Sequence, residues 1–153
     1  MSATVLSVAF HTGVADPVEH ALRLTRKALA LGSRVLVLGT AERLGELDSQ
    51  LWTADPGSFT PHMRWSPQAA NESRLQRAPV WLCSEPQDLP TEGQAWGMPD
   101  VLINMGISVP GQADRFAKVF EIVSNEPAAR VAGQQRWRVW RDKGLTPVHH
   151  AFS

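Results

Sequence analysis

The chain has 153 residues and is 43% hydrophobic, enough for one globular domain, 1–153, with a sizeable core. Fifteen basic residues balance fifteen acidic ones, which argues against a protein that grips duplex DNA through many phosphates, so any link to DNA should be indirect. A single cysteine, Cys83, excludes an internal disulfide, and with no secretory signal and no apolar run of about 20 residues the chain is expected in the cytoplasm, away from membranes.

Ala3 to Phe10 is apolar and β-branched, the pattern of a strand buried on both faces. His11 and Thr12 then lead as a loop to a strong helix start: Asp16 as N-cap, Pro17 at the first helical position, and Glu19 three residues after the cap. Val18, Ala21, Leu22, Ala28 and Leu29 carry that helix toward Gly32, which suits the left-handed position just past its end. Arg34 to Gly39 follows as a second strand, so the first third of the chain makes a βαβ unit, which should be right-handed and parallel.

Leu44, Leu47, Asp48 and Leu51 fall at i, i+3, i+4 and i+7, which predicts a helix from Ala41 to about Ala54. Asp55-Pro56-Gly57 break it and leave Ser58 to His62 extended. Trp52 sits at the shoulder of the leucine stripe, and Phe59 has no periodic partner. Two aromatics at a helix end and the loop after it form either a local mini-core or a hot spot for a partner.

Met63 to Ala78 has no clear period and reads as a loop. Pro79 to Cys83 is a short strand candidate, and Ser84 to Asp100 a second long connection. Val101 to Gly106 is another buried strand, followed by a helical turn from Asp114 to about Lys118 and a strand from Val119 to Val123. The last long helix opens near Asn125, a candidate cap, and closes before Gly144. Strands and helices alternate along the chain. The fold class is therefore three-layer α/β/α with a mostly parallel sheet of about five strands, Rossmann-like in topology.

That topology invites a nucleotide, but the first strand leads into HTGVADP, not into GxGxxG, and no P-loop is present. His11 and Asp16 could sit where open α/β sheets hold ligands; the plainer reading is a loop histidine and a helix cap. His62 has no evident partner, and adjacent His149 and His150 should point to opposite faces of an extended chain, so neither metal nor cofactor is assigned. No catalytic set is visible, and Cys83 lies in an apolar strand as a buried small hydrophobe. A degenerate nucleotide- or phosphoester-acting enzyme around His11 to Asp16 is kept as the alternative function.

Between Asn125 and Gly144 five basic residues face only Glu126 and Asp142. On a wheel at 100° per residue, Ala128, Ala132 and Val139 share one side, and Arg130, Gln134, Trp137, Arg138 and Arg141 gather opposite. That face is either a solvated basic stripe with Trp137 half-covered by arginine stems or a receptor for an acidic segment ending in an aromatic residue.

The string LDSQLW (Leu47 to Trp52), a Pro-containing break and SFTPH (Ser58 to His62) resemble the chi subunit of bacterial DNA polymerase III. APVWL, DVLINM and RWRVWRDKGL extend the resemblance over most of the chain. It implies the same α/β architecture, no catalytic activity, and an accessory role in the clamp-loader complex during DNA replication. It implies a psi-subunit interface at Trp52, Phe59, Pro61 and His62. It also implies a site for the acidic, Phe-terminated tail of single-stranded DNA-binding protein at Val123, Arg130, Gln134, Trp137, Arg138 and Arg141. A helicase competing for the psi surface is a further partner to consider. Gln134 departs from the family, which commonly has an Arg there.

Overall fold

Val35, Leu36, Val37 and Leu38 are fully buried, and they send alternate side chains into two separate cores. A strand buried on both faces needs cover on both, which is why its sequence is continuously apolar and why its neighbours run parallel. The computed structural model describes residues 7–53, 61–65, 78–85, 99–106, 108–110 and 113–152. In chain order they form β1 (Ser7–Val14), α1 (Pro17–Ala30), β2 (Val35–Leu38), α2 (Ala41–Thr53), β3 (His62–Arg64), β4 (Val80–Cys83) and β5 (Val101–Asn104). A short 3-10 turn (Ala113–Arg115), β6 (Lys118–Ser124), α3 (Pro127–Asp142) and β7 (Val148–Ala151) complete them. The sheet has seven strands in the order β3-β4-β2-β5-β6-β1-β7, and each adjacent pair is parallel.

One face of the sheet is covered by α1 and α2, whose Val18, Ala21, Leu22, Leu44, Leu47 and Leu51 meet Val35, Val37 and Ile103. The other face packs Trp140 of α3, Phe116 and the stacked Trp65 and Trp81 against Leu36, Leu38 and Leu102. The three layers follow. No helix among the described residues is long and apolar enough to cross a membrane.

The cap of α1 is as its sequence predicts: Asp16 Oδ1 accepts from Glu19 N–H at 3.2 Å, and Gly32 has φ +85°. The sheet differs from the expectation of about five strands. β3 and β7 are three and four residues long and lie at the two edges; β7 is exposed throughout and β3 is half-buried, and both are too short to leave a hydrophobic pattern. β1 also runs beyond Phe10 to Val14, which makes His11 a buried strand residue and not a loop residue. Its last turn needs Gly13, at φ +70°, because a Cβ there would lie 2.0 Å from the Phe152 carbonyl oxygen.

α3 is the larger correction. It begins at Pro127 behind Glu126, whose side chain makes no cap bond, and Asn125 lies before that cap position. Its buried residues are Gly133, Arg136 and Trp140, while Ala128 and Val139 are exposed. The helix is turned about 90° from the orientation its small apolar residues suggest, counting 100° per residue. Facing the buried side of the helix is Glu121, fully buried in β6. Arg136 Nε donates to its Oε1 at 2.8 Å, and Trp140 Nε1 donates to its Oε2 at 2.9 Å.

Candidate interaction sites

The approach of α3 to β6 is close because Gly133 has no side chain; a Cβ there would come within 2.8 Å of Val123 Cγ2. Beside that contact a groove of about 850 Å³ opens between α3 and the ends of β1, β6 and β7. Trp137 supplies apolar surface to it, backed by the buried Phe10 and Val123, and Phe10 meets Trp137 edge to face with ring centroids 5.0 Å apart. His149 and Ala151 of β7 and Phe152 just after it make the far wall. His149 is tied to the sheet by a 2.6 Å hydrogen bond between its Nε2 and Thr12 Oγ1. Arg130, Gln134, Arg138 and Asn125 form the rim.

Five of the six residues singled out on this surface from the sequence therefore line one groove: Val123, Arg130, Gln134, Trp137 and Arg138. Arg141 is exposed on the last turn of α3 and is not part of the lining. Trp137, expected on the face away from the core, is half-buried on Phe10. Phe10, Thr12, Gly133 and His149 escaped the sequence reading because they come from other elements or, in Gly133, carry no chemistry of their own. No carboxylate lines the groove among the described residues. Two guanidinium groups above an indole suit a ligand with both a carboxylate and an apolar ring, since Arg binds the first in a fork and Trp covers the second.

The second surface lies at the end of α2. Trp52 is 60% exposed and meets His62 edge to face, with ring centroids 5.7 Å apart. His62 has a partner that its sequence context did not reveal: its Nε2 lies 2.6 Å from Asp48 Oδ1. Asp48 and Trp52 are four residues apart on one face of α2, so the carboxylate that holds His62 also sets the surface on which the indole rests. Pro61 is exposed beside them, and Phe59 lies outside the described residues.

A third cluster surrounds His11, whose Nδ1 lies 2.7 Å from His20 Nε2. Burial, then the charges of His20, His150, Lys27 and Lys118, lower its pKa to about 4. His149 and His150 do point to opposite faces of β7, one to Trp137 and the other to His11. No group of three or more His, Cys, Asp or Glu among the described residues could hold a metal ion.

Residues 6–148 match the family of the DNA polymerase III chi subunit, HolC. The chain belongs to the DNA polymerase III chi subunit family. The DNA polymerase III subunit chi of Pseudomonas aeruginosa is 33% identical over 141 residues, which cover 89% of this chain and 89% of that one. This chi-family chain is thus an accessory polymerase subunit in DNA replication. The C-terminal domain of the DEAD-box protein Dbp5 superposes with a TM-score of 0.60 at 11% identity, over 97% of this chain and 91% of that one. At that identity the likeness is one of fold alone.

Proposed function

We propose that this chi-family chain is a non-catalytic cytoplasmic adaptor, a single domain that joins the psi subunit to the C-terminal tail of single-stranded DNA-binding protein. The observation that carries the reading is the groove on α3: an indole floor, a rim with Arg130 and Arg138, and no lining carboxylate among the described residues. An acidic peptide ending in Phe would put its ring on Trp137, which Phe10 supports from beneath, and its carboxylates on the guanidinium groups. Arg141, one turn past Trp137, is available to acidic residues further along such a peptide. Trp52, Pro61 and His62, with Phe59, form the psi-binding surface in this reading.

The function is tethering. Holding the polymerase to a protein that coats exposed single strands turns a second modest contact into an intramolecular one, so two weak sites act as one strong attachment. DNA is then reached only indirectly, as the balanced charge of the chain suggests. The test is a fluorescence titration with a peptide carrying that tail and a second peptide lacking its terminal Phe. Tighter binding of the complete tail supports the assignment; equal binding of the two reduces the groove to a charged surface and ends it.

A further inference from the structure

We propose that Glu121 is a positioning residue: it sets the rotation of α3 and thereby presents Trp137 to the groove. The proposal rests on the peptide-binding reading of that groove, and one of its tests needs no peptide.

The apolar residues of α3 alone do not choose its orientation. Ala128, Ala132 and Val139 form a stripe that would bury well, yet Ala128 is exposed and Val139 is 40% exposed. In place of that stripe the helix buries an arginine and a tryptophan that both bond one carboxylate. Arg136 and Trp140 are four residues apart, so they project in the same direction. Both can reach Glu121 only when that direction faces β6. Arg136 adds a bond to the Ile122 carbonyl at 3.3 Å, and Asn104 of β5 also bonds the carboxylate.

Turning the helix so that the alanine stripe is buried would leave a fully buried carboxylate without its cation, a far worse state than an exposed Ala128 and Val139. The ion pair therefore selects one rotation of α3 against another that hydrophobicity would accept. Trp137 follows Arg136 directly, 100° further round the helix. Only in the selected rotation does its ring lie at the edge of the buried face, half-covered by Phe10 with its remaining surface open to the groove. A smaller rotation inward would bury the indole, and one outward would break its contact with Phe10.

The experiment replaces the pair by apolar groups, Glu121→Leu with Arg136→Met, so that no charge is stranded. The expected result is a cooperatively folded protein that has lost the nuclear Overhauser contact between the Phe10 and Trp137 rings. Its affinity for the complete tail peptide should fall by about tenfold or more, the scale of a lost aromatic anchor. Arg136→Lys keeps the charge and should keep both readouts near wild type. A folded double variant with the ring contact and affinity of the wild type overturns the proposal. Should the double variant not fold, Glu121→Gln decides: its amide has a single acceptor oxygen where Arg136 and Trp140 each bond a separate carboxylate oxygen, so a weakened ring contact supports the lock and an unchanged one refutes it. The ring contact is measured without ligand. A wild-type protein that fails to bind the tail peptide would therefore sink the proposed function and leave the rotation lock to be judged separately.

Discussion

Phe10 and Trp137 join the first strand of the sheet to its last helix, their rings 5.0 Å apart at an interplanar angle of 61°. The edge of one ring on the face of the other is the favourable electrostatic arrangement, contributing about 0.5–1.5 kcal/mol beyond the area buried. Phe10 is 2% exposed, so alanine there would open a cavity and confuse stability with function. Phe10→Leu keeps most of the volume and removes the aromatic pair. It should leave the protein folded and weaken the tail peptide several-fold, by no more than the pair contributes. Isothermal titration on the folded variant checks this, and an unchanged affinity would mean that Trp137 needs no support from the sheet.

The rim predicts a salt response. Arg130 and Arg138 are exposed, so their attraction for an acidic peptide is screened beyond about 10 Å at 0.1 M ionic strength, and binding should weaken steadily as salt is added. Gln134 lies between them on the groove wall and brings no charge. Gln134→Arg should tighten binding, with roughly 1.5 to 3 kcal/mol as the upper limit for a hydrogen bond to a charged group. Its slope of affinity against salt should be steeper than that of the wild type. An unchanged slope would mean that the new guanidinium does not meet the peptide.

His11 makes stability depend on pH. In the folded chain its pKa is lowered to about 4, first by burial and then by neighbouring charges, and on unfolding it returns to about 6.5. Between those values the unfolded chain binds the extra proton. Stability should therefore be lost as pH falls from about 6.5 to 4, with His11 contributing nothing further above that window and up to about 3 kcal/mol of loss below it. His20, also lowered by burial, acts in the same direction. His11→Gln can still bond His20 but cannot titrate, so urea unfolding of this variant at pH 7, 5.5 and 4.5 should show a flatter decline. An equally steep decline would assign the acid sensitivity to other groups.

What the sequence discloses and what it hides divide along physical lines. The cap at Asp16, the leucine stripe of α2 and the continuously apolar β2 are local patterns, and each predicts its element because its cause lies within a few residues. β3 and β7 are hidden because edge strands of three and four residues are too short to display a hydrophobic period. The face of α3 is hidden for a different reason: Glu121 and Arg136 meet across fifteen positions of sequence, and their pairing outweighs the apolar pattern of the helix. A lone carboxylate inside Val119 to Val123 was the available signal, since a buried strand seldom carries one unpaired. The groove shares this limit. Its arginines and Trp137 lie on one helix and can be listed from a wheel, whereas Phe10 and His149 join them only through the sheet.

The surface at the end of α2 gives a prediction in which position and affinity separate. Trp52 is 60% exposed, so Trp52→Ala should change stability by less than about 0.5 kcal/mol. Under the proposed function it should nonetheless cost more than about 2 kcal/mol of psi binding, as central interface aromatics do. Phe59→Ala should behave in the same way. Asp48 provides the control. Its carboxylate, 2.6 Å from His62 Nε2, holds the ring on which the indole leans without offering apolar area of its own. Asp48→Ala should therefore weaken psi binding by less than Trp52→Ala. Combined with Trp52→Ala it should add little, because an imidazole with no indole to support has nothing left to position. Titrations of psi into the two single variants and the double variant measure that coupling directly. Fully additive losses would mean that Asp48 and His62 touch psi themselves and do not act through Trp52.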